Sequence, residues 1–249
     1  MTTKPAMTTT VIIPCLNEER YLPLLLDDLA AQTQPADKVV VADCHSEDGT
    51  VRTAKAYKER LPLTIVQAPI RSASSARNAG AARADTDFLL FLDADMRIPP
   101  DFMERLAAYT ERKHLDFVSP RFRFDGKHFY DKLLGAYLNC WLLLRPRILR
   151  MTTSIGGALY VRRSLHQAAG GYDDAMREFD DIDYSRRIQA QHAREGMAWN
   201  VVATTSSRRL ETQGRFFSMV QSVPADQLLA RHLIRPWMKR RGLKGKWEE

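Results

Sequence analysis

Two carboxylates one residue apart, Asp93 and Asp95, follow the apolar run FLLFL (88–92) and stand just ahead of Pro99 and Pro100. Like charges set this close repel unless a cation joins them. Mg²⁺ or Mn²⁺ suits the place, because such hard cations take oxygen ligands and commonly bind one or two carboxylates together with substrate phosphates. In an extended chain, residues two apart point to the same side, so the spacing predicts that both carboxyl groups reach one small volume. A pair of solvated turn residues would carry the same letters, and D-x-D alone does not separate the two readings.

Other polar groups stand where such chemistry needs them. Asp180, Asp181 and Asp183 open the stretch DDIDYSRRIQAQ. A carboxylate there suits a general base, and equally suits the first turn of a helix, whose dipole favours negative charge. Three further clusters are PCLNEE (14–19), ADCHSEDGT (42–50) and RSASSARNAG (71–80). Each comes shortly after a β-branched or apolar run.

The elements that must position these groups alternate along the chain. TVIIP (10–14), KVVVAD (38–43), LTIVQA (63–68) and DFLLFLD (87–93) read as strands. Helical spacing fills 18–32, 48–60 and 72–84. The continuous apolarity of the last strand predicts cover on both faces. A β-α-β-α-β-α-β order predicts a mostly parallel sheet between helix layers, with ligands bound beyond the carboxyl ends of the strands. Asp93 and Asp95 sit at such an end.

Composition sets bounds on this picture. A chain of 249 residues with 45% hydrophobic and 27% charged residues has the make-up of a globular domain. Three widely separated cysteines, Cys15, Cys44 and Cys140, suggest neither a disulfide framework nor a zinc knuckle, so a reducing, cytoplasmic setting is expected. The opening MTTKPAMTTT lacks an apolar core and reads as a lead-in rather than a secretory signal. No run reaches the roughly 20 apolar residues of a bilayer crossing. The nearest, LLGAYLNCWLLL (133–144), is followed by RPRILR and reads as a buried or an interfacial helix. The net charge is +7, and residues 231–249 hold seven Lys and Arg against two Glu, so most of the excess lies in an amphipathic tail. Such a tail suits an anionic membrane surface, a solvated helix or a nucleic-acid contact.

Taken in order, VIIPCLNEERYLPLLLDDLAAQT, VADCHSEDGT, ARNAGAARADTDFLLFLDADM and GGALYVRRSLHQAAGGYDDAMREFDDIDYSRRI resemble a family 2 glycosyltransferase of the GT-A fold over about residues 10–210. The resemblance implies a Rossmann-like three-layer α/β sandwich with a mostly parallel central sheet. It implies a lead-in at 1–9, a catalytic domain at 10–215 and the basic tail at 216–249. Within the domain, 10–99 would bind the nucleotide-diphosphate sugar and 100–215 the acceptor.

The resemblance also implies roles. Pro14 and Glu18 would border the nucleotide, Asp43 would accept from the base, and Arg77 would reach base or phosphates. Asp93 would face the donor and, with Asp95, hold Mg²⁺ or Mn²⁺. Gly156, Gly157 and Asp180 would lie on the acceptor side, and Asp181 would be the general base of an inverting transfer. Arg208 and Arg209, in ATTSSRRLETQG, would reach the diphosphate, Arg209 slightly ahead. Plainer readings remain: a first-turn Glu18, an Asx-turn Asp43, an ion-paired Arg77 and a solvated basic turn at 208–209. The family pattern DDGSTDGT is here DCHSEDGT, with Cys44 expected to be packed and His45 expected at the surface of a turn. The expected acceptor is a glycan, lipid-linked or of the cell envelope, reached through a peripheral membrane contact on the cytoplasmic face, and no nucleic acid is expected. A sugar nucleotidyltransferase would want a Gly-rich basic loop in place of PCLNEE. A non-catalytic module binding anionic membrane or nucleic acid is the reading from another class.

Overall fold

A computed structural model describes residues 7–126, 128–148, 157–176 and 180–208. Its elements are β1 (Thr9–Cys15), α1 (Leu22–Ala30), β2 (Lys38–Asp43), α2 (Thr50–Lys55), β3 (Leu63–Gln67), α3 (Ala73–Ala81), β4 (Phe88–Leu92) and β5 (Met96–Arg97). There follow α4 (Phe102–Lys113), β6 (Phe117–Phe124), α5 (Phe129–Ile148), β7 (Ala158–Arg162), α6 (Arg163–Ala168), α7 (Asp180–Ala190) and β8 (Glu195–Thr205).

The strands form one sheet in the order β3-β2-β1-β4-β7-β6-β8-β5. The first four are mutually parallel, as their alternation with helices predicts. The antiparallel β7 separates β4 from β6, and β5 runs antiparallel to β8, so six of the eight strands share one direction. This is the GT-A arrangement expected from the sequence.

Two helix starts have a local cause. Pro23 stands in the first turn of α1, where a missing N–H is harmless, so the helix begins later than the apolar spacing at 18–32 suggests. Ser72 caps α3 by accepting from Ser75 N at 3.1 Å. Burial divides by strand parity. Val11, Ile13, Phe88, Leu90 and Leu92 pack with α1, α2 and α4, while Ile12, Leu89 and Phe91 pack toward α3, α6 and α7. The run FLLFL is buried on both sides, as its unbroken apolarity predicts.

The carboxyl ends of β1, β2 and β3 are level, with Cys15 beside Asp43 and Asp43 beside Gln67. Their loops are knitted together. Asn17, in the left-handed region at φ 54°, receives Glu47 N on its Oδ1 at 2.9 Å, and its own N–H donates to Ser46 Oγ at 3.0 Å. Glu18 N donates to Thr50 Oγ1 at 2.8 Å, and Gly49 N to Glu19 Oε2 at 3.0 Å. One rim is thus built before any ligand arrives.

Candidate active site

The D-x-D segment is a turn, not extended chain. Met96 N donates to Asp93 O at 3.0 Å, and the chain reverses so that β5, short and opposite in direction to β4, can pair with β8. The like-sided geometry expected from a spacing of two therefore does not apply. Asp93 and Asp95 instead each meet a different arginine. Their side chains are 26% and 9% exposed, so neither is splayed into bulk water.

Arg77, on α3, is the first of these. Its Nη2 lies 3.1 Å from Asp93 Oδ1 and its Nη1 2.6 Å from Asp180 Oδ2. The guanidinium fork thus joins the end of β4 to the first residue of α7. Burial alone would lower its pKa, but Asp180 and Asp93 hold it above the ordinary arginine value. The ring of Tyr172 lies under the guanidinium at 5.1 Å. Asn78 fixes Tyr172 from the same helix, donating to Tyr172 O at 2.8 Å and accepting from Tyr172 N at 2.8 Å.

Ser74 adds to this junction, its Oγ donating to Asp180 Oδ2 at 2.9 Å. It was not among the residues the sequence singled out. Its signal was present, because Ser74 and Arg77 stand three apart on a helix and share a face. Tyr172 had no comparable signal.

Arg208 is the second arginine. Its Nη2 lies 3.1 Å from Glu18 Oε1 and 3.6 Å from Asp95 Oδ2, and its guanidinium covers the ring of Tyr21 at 4.5 Å. Burial would lower its pKa, and Glu18 and Asp95 raise it. The fully buried Glu18 side chain is therefore more than a first-turn residue near a helix dipole. Arg209 and Gly156 lie outside the described residues, as does the tail from 216 onward.

The remaining residues divide. Pro14 is buried within β1, opposite Ala42. Asp43 accepts from Ser46 N at 3.3 and 3.2 Å on its two oxygens, so the turn-forming reading is realised. Gly157 accepts from Asp93 N at 2.8 Å, and a Cβ there would meet Met96 Cε at 2.3 Å. Glycine at 157 thus makes room for Met96 beside the D-x-D turn. Asp181 opens α7 beside Asp180, accepts from Ile182 N at 2.9 Å, and acts electrostatically on Arg77.

The two departures from the family pattern have physical accounts. Cys44 is buried, its Sγ donates to Ser72 O at 2.9 Å, and burial pushes the thiol up to about 11. It is a packed side chain and not a thiolate. His45 is exposed with φ 61°, a left-handed conformation that explains glycine at this position in the pattern. Its ring is held by Ala68 O and Gln67 Nε2, each at 3.0 Å.

Five carboxylates, Glu18, Asp93, Asp95, Asp180 and Asp181, thus gather around two guanidiniums. An excess of negative charge remains. Among the described residues no group of three His, Cys, Asp or Glu is placed to hold a metal ion. Asp93 and Asp95 carry hard oxygen donors of the kind Mg²⁺ and Mn²⁺ take, each of them here engaged by an arginine.

The sequence profile described as glycosyl transferase family 2 matches residues 10–167. A poly(ribitol-phosphate) β-N-acetylglucosaminyltransferase, TarS of Staphylococcus aureus, is 34% identical over 113 residues, covering 43% of this chain and 20% of its own length. A PGL/p-HBAD biosynthesis glycosyltransferase of Mycobacterium bovis is 30% identical over 188 residues, covering 71% of this chain and 68% of its own. In fold, the chain is similar to a mannosyltransferase of Pyrobaculum calidifontis solved with GDP-Man and Mn²⁺. The TM-score is 0.65 at 23% identity, over 98% of this chain and 66% of that one. The matched segment spans only a fifth of the staphylococcal relative's length.

Proposed function

The chain belongs to glycosyl transferase family 2, and from that premise we propose that it moves a sugar from a nucleotide-diphosphate donor to an acceptor hydroxyl, with inversion and with a divalent cation. The observation that carries the reading is Arg77, which ties the D-x-D turn to the acidic start of α7. Charge for a diphosphate and charge for a proton transfer thereby stand on either side of one guanidinium.

In this reading the donor lies over the ends of β1, β2 and β4, its nucleotide bordered by Pro14, Glu18 and Asp43. Asp93 and Asp95 hold the cation, which when bound offsets charge growing on the departing diphosphate. Arg208 supplies further donors from the opposite side, with Arg209 beside it in sequence. Asp181 takes the proton from the acceptor hydroxyl as it attacks the anomeric carbon in line. Arg77 and Ser74 hold Asp180, and through it the helix start, in register with the donor. The acceptor, on the side of Gly156 and Gly157, is a lipid-linked or envelope glycan presented at the cytoplasmic face of a membrane.

The test is a panel of UDP and GDP sugars screened by thermal shift with Mg²⁺ or Mn²⁺ present. One nucleotide raises Tm, chelator removes the rise, and Asp93→Ala removes it too. Calorimetry giving the same nucleotide affinity with and without chelator overturns the metal-dependent reading.

A further inference from the structure

The helix α5 leaves large apolar side chains exposed along its first half. Among its described side chains, Asp131, Gly135 and Asn139 are buried and spaced four apart. Asn139 ties the helix to β6, its Oδ1 accepting from Phe122 N at 3.0 Å and its Nδ2 donating to Phe122 O at 2.7 Å, while Nδ2 also donates to Gly135 O within the helix at 2.6 Å. The exposed side chains described in its first half are mostly apolar and aromatic. Phe129 is 70% and Tyr130 72% exposed, and Leu133, Ala136, Tyr137 and Cys140 are exposed with them.

Four of the seven large apolar side chains exposed among the described residues fall in 129–137, so the patch is concentrated rather than scattered. Helices of globular proteins turn such a face to the core, and contiguous apolar patches mark interaction sites. No helix among the described residues is long and apolar enough to cross a membrane, so this one would lie along a surface rather than pass through it.

We infer that α5 is an interfacial helix that lays Phe129, Tyr130, Leu133 and Tyr137 into an anionic lipid surface. Charge complementarity selects this occupant. The acid in α5, Asp131, is buried and Lys132 beside it is exposed, and the sequence of this stretch adds Arg145 and Arg147 with no further acid. Aromatic residues beside Lys and Arg are the composition that favours headgroups of negative charge. The inference rests on the membrane-side acceptor proposed above and identifies the surface that would bring the site to it.

The full chain is to be sedimented with phosphatidylglycerol-rich vesicles and with pure phosphatidylcholine, alongside the triple variant F129S/Y130S/L133S and the control Trp199→Ser, an exposed aromatic outside α5. Wild type and control partition onto the anionic vesicles, and the triple variant partitions at least about tenfold less. Equal partitioning of wild type and triple variant overturns the inference. So does a wild type that ignores vesicles while light scattering shows the stripe holding two copies together. Nucleotide-dependent thermal shifts separate the two readings. Their absence with vesicle binding intact sinks the enzyme, whereas lost vesicle selectivity with shifts intact sinks the docking surface.

Discussion

Glu18 and Arg208 lie 190 residues apart and meet in an ion pair of 3.1 Å, with the Glu18 side chain fully buried. The end of β8 is thereby pinned to the loop after β1, and the same guanidinium reaches Asp95. Arg208→Ala leaves a buried carboxylate without that partner and is expected to lower stability by about 2 kcal/mol, below the usual loss for a fully buried pair because Arg208 keeps some solvent contact. Adding Glu18→Gln recovers part of the loss. Urea melts of the two single variants and the double variant measure the coupling, and additive losses contradict it.

Arg77 uses both ends of its fork, one on Asp93 and one on Asp180. Lysine keeps the charge but offers a single point, so Arg77→Lys is expected to fold and yet lose about 10²-fold in kcat/KM through misplacement of α7. Steady-state kinetics beside a circular dichroism spectrum decide this. A variant with full turnover would show that the junction is only structural.

Asp181→Asn keeps size and helix start but cannot take a proton. The expected loss is about 10²–10⁴-fold in kcat with nucleotide affinity unchanged. Turnover and calorimetric titration on the same preparation give both numbers, and an unchanged kcat assigns the base elsewhere.

His166 is buried among Phe91, Tyr172 and Tyr184, its Nδ1 2.7 Å from Tyr184 Oη. Burial, with Arg187 adding to it, lowers its pKa to about 4. An unfolded histidine takes its proton near pH 6.5, so between these values the unfolded state binds the proton and the native state does not. Stability is therefore expected to fall by about 3 kcal/mol as pH drops from 6.5 to 4, and to be insensitive to this group above 6.5. His166→Gln retains a polar partner for Tyr184 and flattens the slope. Melting curves across that range test it.

Much of the sheet was legible because β1 to β4 carry unmistakable patterns: β-branched runs, an unbroken apolar strand and polar residues at each carboxyl end. Helical spacing over 18–32 and 72–84 contains α1 and α3, with bounds wider than the helices observed. What the sequence hid depends on distant pairing. Nothing local says that β7 slips between β4 and β6, or that β5 reverses after Asp93 to reach β8, and that reversal replaced the extended geometry expected of the D-x-D pair. Arg77 and Asp180 were each nameable, but their contact at 2.6 Å joins residues 103 positions apart and belongs to the fold alone. Ser74 was one step away, on the same helical face.

The attachment of α5 to β6 through Asn139 separates how the helix is held from what it presents. The anchor is a carboxamide holding the backbone of β6, whereas Phe129, Tyr130, Leu133 and Tyr137 stand exposed. Exchange of those outer residues, for polar or for greasier ones, is therefore expected to cost less stability than exchange of Asn139, which makes this helix a handle for moving the protein between aqueous and lipid phases by design.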